Sequence, residues 1–148
     1  MGEVFPTIMG KNLNKQTITI PNDFTQRNVI VIMAFQRWHQ SIVDEMISLL
    51  ELNDLPQNYD IIEVPVVQKM SWFRQRRLDA IMRAGITDFE VRQRTITVYT
   101  DKPALLDSLS IASDQKICWY VVESMTSKIL FKGVELISQS DLEMMKSL

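Results

Sequence analysis

The sequence predicts an α/β fold: one domain over residues 1–148, with a mixed central sheet and helices on both faces. Three observations carry that reading. Residues 29–35, VIVIMAF, form a continuous apolar and largely β-branched run, as an interior strand covered on both sides requires. Strand-like and helix-like patterns then alternate, which implies parallel strands joined by right-handed crossovers. Near the end two strand-like runs lie so close together that only an antiparallel hairpin can join them.

Taken in order, residues 1–15 read as a polar, glycine-bearing lead-in. Residues 17–20, TITI, alternate and are β-branched, so they form a short strand that stops at Pro21-Asn22-Asp23. The interior strand, residues 29–35, follows. From Trp38 to about Leu52 apolar side chains recur at three- and four-residue steps, the mark of an amphipathic helix with one face on the sheet. Asn53-Asp54-Leu55-Pro56 ends it. Residues 59–67, YDIIEVPVV, are the next strand, with pairing expected to stop near Val64 because Pro65 brings no N–H.

Residues 70–84 are helical, with Trp72, Phe73, Ile81 and Met82 as apolar anchors and Gly85 as the residue just past the helix end. Residues 86–94 read as a charged connector, and residues 95–99, TITVY, as a strand. Asp101 caps a short helix that takes Pro103 into its first turn and runs to about Leu109. Residues 117–122 and 128–132 are the closing hairpin, turning at Ser124-Met125-Thr126-Ser127 without glycine or proline. A last helix, residues 141–148, opens at Ser138 or Ser140.

Composition narrows the function classes. With 148 residues, 46% apolar and 23% charged, the chain suits one globular domain with a sizeable core. A net charge of −2 gives no reason to expect nucleic acid or an acidic membrane. A single cysteine, Cys118, forbids an intramolecular disulfide and fits a reducing, cytoplasmic compartment. The N-terminus lacks the apolar core of a secretory signal, and Pro6 stands where myristoylation of Gly2 would want Ser or Thr. The longest apolar run falls far short of the roughly 20 residues that span a bilayer.

The order of elements, with VIVIMAFQRWHQ, TITVYTDKPALLDSLSI and ICWYVVESMTSKILFKG, resembles the thioredoxin fold in its peroxiredoxin-like form over nearly the whole chain. AFQR (residues 34–37), YDIIEVPVV, MRAGI and RTITVYTDK are more closely similar to a thioredoxin-like group without cysteine motifs. That group is related to the mitochondrial chaperone that helps assemble the membrane sector of F-type ATP synthase. The resemblance implies a single thioredoxin-like domain and a chaperone or assembly role exercised by protein binding.

The departures from the thioredoxin pattern bear on chemistry. Thiol–disulfide exchange needs a thiolate at a helix N-terminus, where the dipole and amide groups lower its pKa. Aligned from Phe35, the two thioredoxin cysteines fall at Gln40 and Val43; aligned from Trp38, at His39 and Ile42; the peroxidatic frame lands near Asp44. None is Cys. Ser113-Asp114-Gln115-Lys116 stands where the cis-proline before the hairpin is expected.

The polar residues at the carboxyl end of the interior strand, Gln36, Arg37, His39 and Gln40, are the first candidate binding group, since open α/β sheets bind ligands there. His39, the sole histidine, could act as a base, but without a second His, a Cys or a clear carboxylate beside it the expectation is a solvent-facing, non-catalytic side chain. Arg74, Arg76 and Arg77 are the second candidate group, within a basic stretch that also holds Lys69, Arg83, Arg92 and Arg94. Arginine suits bidentate anion recognition, so the cluster fits a protein or lipid-headgroup contact, with an ordinary solvated helix face as the plainer alternative. Cys118, inside a core strand, reads as a small buried hydrophobe. Of the nine methionines, Met144 and Met145 in the last helix are the ones expected at the surface.

The leading expectation is therefore a non-catalytic protein that binds an unidentified protein partner and uses no metal and no cofactor. The rivals are a redox or peroxide-linked enzyme using Cys118 and a small-ligand or anion-binding protein. Contact with a membrane surface stays open; a transmembrane segment and nucleic-acid binding are not expected.

Overall fold

The computed structural model describes residues 3–148; Met1 and Gly2, and with them the discounted myristoylation site, lie outside the described residues. Strand β3 (Asn28–Ala34) organises the molecule as its sequence demands. Val29 through Met33 are all fully buried, and successive side chains enter opposite layers. Val29, Val31 and Met33 join one core with Ile62, Val64, Val98 and Tyr120; Ile30 and Ile32 join the other with Trp119 and Val121.

Among the described residues one sheet has seven strands in the order β2-β1-β5-β4-β3-β6-β7. Its remaining strands are β1 (Ile8–Asn12), β2 (Thr17–Ile20), β4 (Tyr59–Gln68), β5 (Ile96–Thr100), β6 (Cys118–Val122) and β7 (Ile129–Val134). β3, β4 and β5 are parallel; β6 and β7 close the sheet antiparallel. Helix α1 (Gln40–Leu52) makes the first crossover, and Val43, Met46, Ile47 and Leu50 pack on the Ile30–Ile32 face. Helices α2 (Trp72–Gly85) and α3 (Phe89–Arg94) make the second. Two right-handed crossovers advancing in the same direction across a sheet lie on the same face. Helix α4 (Lys102–Ser108) covers the opposite face, where Leu105, Leu106 and Leu109 meet the other core. Helix α5 (Gln139–Ser147) returns to the α1 side with Leu142 and Met145. The α/β fold with a mixed sheet and helices on both faces is therefore present.

Several local expectations change. The lead-in over residues 1–15 contains β1, which pairs antiparallel with β2 and β5. Its Gly10, which reads as a loop residue, is there because β1 passes close to β5: a Cβ at Gly10 would come within 2.6 Å of the Thr97 carbonyl oxygen. Pro65 does not end β4. It forms the last pair with β3, opposite Ala34, and Val66 to Gln68 then pair with β5. On its other side β4 also pairs with β5 before the proline, through Glu63 and Thr95 in the same register, so Pro65 leaves a gap in that pairing without ending the strand.

The connector over residues 86–94 carries α3, capped by Asp88, whose carboxylate accepts the N–H groups of Glu90 and Val91 at 2.9 and 3.1 Å. Gly85 is the last residue of α2 and does not take the left-handed conformation expected of it. Trp72, Phe73 and Ile81 are not core anchors: they are 60%, 79% and 52% exposed, and no residue of α2 is fully buried. Met145 is buried in the core, leaving Met144 as the surface methionine of α5. Asp101 and Ser138 cap α4 and α5 as read from the sequence.

Candidate functional site

The carboxyl end of β3 passes through Phe35 and Gln36 into a short 3-10 turn, Arg37–His39, that leads straight into α1. His39 is fully buried, which overturns its expected solvent exposure. Its Nδ1 accepts the backbone N–H groups of Phe35 and Gln36 at 3.0 and 3.2 Å. The proton therefore sits on Nε2, which donates to the Gln115 carbonyl oxygen at 3.1 Å. Lys102, at the start of α4, donates to the Phe35 carbonyl at 2.8 Å and pairs with Asp114 at 3.1 Å. The Gln36 amide donates to the Asp114 carbonyl at 3.3 Å. Hydrogen bonds from Lys102 and then Gln115 hold the Asp114 carboxyl below its ordinary range.

Of the first candidate group, then, Gln36 and His39 tie the strand end to the loop over residues 113–116, where the cis-proline is missing. Arg37 and Gln40 remain exposed. Beside them, Trp38 (56% exposed), Val134 and Leu136 form part of the wall of a cleft of about 400 Å³. The thioredoxin cysteine frames fall on Gln40 and the buried Val43, or on His39 and Ile42, so the site holds no thiol. Cys118 lies on β6 opposite Met33 and Val134, only 5% exposed, and burial pushes its thiol up, away from the reactive thiolate.

The second candidate group is split. The Arg76 guanidinium lies over the Trp72 ring, 4.7 Å from its centroid. Arg76 lines a groove of about 610 Å³ between α2 and β1, together with Lys11, Lys15, Arg83 and Arg92. Arg74 and Arg77 lie outside that lining, on the exposed side of α2. Three residues at positions 74, 76 and 77 cannot share one face, since successive residues turn about 100°. Arg83 and Arg92, from the basic stretch, do face the groove, whereas Lys11 and Lys15 escaped the sequence reading because they sit in the segment taken for a lead-in.

Glu63 also escaped it. It is 2% exposed on β4, on the α1 side of the sheet. Burial pushes its carboxyl up, opposed by the Thr95 hydroxyl, the Gln40 amide and the Arg94 charge. The available signal was an acid flanked on both sides by apolar residues, Ile61-Ile62 and Val64, within YDIIEVPVV. Among the described residues no group of three His, Cys, Asp or Glu side chains could hold a metal ion, and no helix is long and apolar enough to cross a membrane.

Fold and site together describe a thioredoxin-like chain whose strand-end position carries no thiol. No protein-family model matches the chain, and no curated protein matches it. Solved structures do match. The thioredoxin domain of a thiol-disulfide oxidoreductase from Bacteroides vulgatus is 16% identical with a TM-score of 0.60, covering 99% of this chain and 95% of that one. A thiol:disulfide interchange protein from Bacteroides sp. is 16% identical with a TM-score of 0.63, covering 100% and 89%. BsSco, a member of the Sco family of cytochrome c oxidase assembly proteins, is 9% identical with a TM-score of 0.64, covering 99% and 94%. These likenesses establish the thioredoxin-like fold.

Proposed function

We propose that this is a non-catalytic thioredoxin-fold protein that acts by binding another protein, in an assembly or chaperone role. The observation that carries the reading is the strand end itself. Where redox members of the fold need a thiolate, this chain places His39 with both ring nitrogens committed to backbone, and its one thiol is buried elsewhere. Beside it Trp38, Val134 and Leu136 form an exposed apolar cluster, rimmed by the polar Arg37, Gln40, Lys116 and Glu135. Such a surface suits protein contact better than a charged small molecule. The likeness of AFQR and RTITVYTDK to a group without cysteine motifs that is related to an assembly chaperone supports the same role, as does an assembly protein among the structural neighbours.

The test has two arms. Purified protein is assayed for insulin-disulfide reduction and peroxide turnover, with none expected. The tagged protein and a Trp38→Ser/Leu136→Ser variant are then compared for co-purifying proteins, with the variant expected to lose a partner the parent retains. Thiol-dependent turnover abolished by Cys118→Ser would replace this reading with the redox one.

A further inference from the structure

We infer that the trough between α2 and β1 holds an acidic, extended peptide segment of the binding partner. This rests on the protein-binding reading above and assigns it a second surface, on a different part of the sheet from the strand end.

Helix α2 stands off the sheet. It buries no residue fully, and polar contacts tie it down. The Tyr99 hydroxyl donates to Asp79 at 2.7 Å and lies 3.2 Å from the Gln75 carbonyl. Arg92 donates to the carbonyl oxygens of Ile86 and Arg83. The gap left behind is the 610 Å³ groove, which continues into a narrower arm of about 300 Å³ sharing Lys11, Trp72, Arg76 and Asp79.

Charge identifies the occupant. Lys11, Lys15, Arg76, Arg83 and Arg92 line the groove, against one carboxylate, Asp79, already engaged by Tyr99. The ion pairs among the described residues, Arg94–Glu51, Lys102–Asp114 and Lys132–Glu3, involve none of these cations. A walled trough lined by one sign of charge concentrates the field and draws in the opposite sign. Arg76 and Arg83 lie seven positions, or two helical turns, apart, roughly 10 Å along one face. Positive charge is thus spread along the trough instead of converging on one point, and an extended chain covers that length in about three residues.

Two further observations bear on what occupies the trough. Trp72, exposed, lines both the groove and its narrow arm, with the exposed Phe73 ring 5.2 Å from its own, and Trp and Arg are the residue types that most often anchor protein contacts. Thr97 lines the narrow arm, is 2% exposed, and its hydroxyl has no hydrogen-bond partner. Buried polar atoms are ordinarily paired. An acceptor atom of an occupant in the arm, such as a peptide carbonyl, would pair that hydroxyl, and the exposed aromatic side chains are what favour a peptide over a compact inorganic anion.

The test uses fluorescein-labelled hexaglutamate as the probe, followed by fluorescence anisotropy with the full chain. Saturable binding is expected, weakening as salt rises. Arg76→Gln/Arg83→Gln should weaken it tenfold or more, and Arg74→Gln/Arg77→Gln should leave it within twofold. Equal loss in both pairs, or no saturable binding, overturns the inference. Tighter binding of inorganic tripolyphosphate than of hexaglutamate, with the same dependence on Arg76 and Arg83, makes the trough a small-polyanion site and overturns it too. A dimer that Arg76→Gln/Arg83→Gln converts to monomer in sedimentation gives the trough to a second copy, with the same consequence. If the Arg76→Gln/Arg83→Gln protein captures the same partner as the parent, the trough assignment fails and protein binding stands. If neither captures any partner, the broader reading fails.

Discussion

Both ring nitrogens of His39 bond to backbone, and that makes the histidine a clamp between the strand end and the loop before β6. Its removal leaves two amide N–H groups and a carbonyl without this partner, the Phe35 N–H in a buried contact and the other two in partly buried ones. Each such loss costs about 1–3 kcal/mol, partly relieved by relaxation. His39→Ala is therefore expected to lower stability by about 2–4 kcal/mol in urea unfolding; a cost below about 0.5 kcal/mol would show that the clamp does not form. Glu63 gives a residue-scale prediction with a sign. Burial raises its folded-state pKa, so between its ordinary value and the raised one the folded chain binds more protons than the unfolded chain. Its contribution to stability then falls as pH rises through that window. The groups facing it are Gln40, Asp44, Arg94 and Thr95. Glu63→Gln keeps the shape and removes the titration. The variant should match the parent at acid pH and become increasingly more stable than it toward neutrality. Melts of both proteins across the acid-to-neutral range check this, and a constant difference would refute it.

At the scale of elements, α2 is the helix whose apolar side chains do not face the core. Because Trp72 and Phe73 are largely exposed, Trp72→Ser/Phe73→Ser should cost no more than about 1 kcal/mol, much of it the lost stacking of Arg76 on Trp72. A loss of several kcal/mol in the urea midpoint would mean that α2 is anchored through these rings after all. The helix also shows where sequence pattern stops being informative. In β3 an unbroken apolar run leaves one outcome, and strand, crossover and α1 were all legible. In α2 periodicity located the helix, but Tyr99 and Arg92, which hold it, belong to other elements and carry no local signal. β1 was hidden because Gly10 and Lys11 break its alternation, and the reason for Gly10 is a strand remote in sequence. The candidate site was legible in position and in its lack of cysteine. Its buried histidine was not, since the carbonyl that closes the clamp is 76 residues away.

At the scale of the whole molecule, the location of Cys118 turns the redox question into a question about unfolding. The thiol sits on β6, hydrogen-bonded into the sheet between β3 and β7, and its side chain enters the core beneath α4. A thiol reagent such as DTNB must meet a thiolate. Burial both raises the thiol pKa and blocks approach, so reaction requires β6 to come free. An interior strand bonded on both sides comes free only when much of the sheet opens. Labelling in native buffer should then be slower than labelling of the unfolded chain by a factor of order 10³ or more, set by the unfolding equilibrium. Sub-denaturing urea should accelerate it along the slope of the equilibrium melt. His39→Ala should accelerate it by the factor its own destabilisation dictates, because one closed unit governs both. Fast labelling, indifferent to urea, would show a local opening around β6. A redox partner could then reach Cys118 in the folded protein, and the enzyme reading would regain the access it lacks.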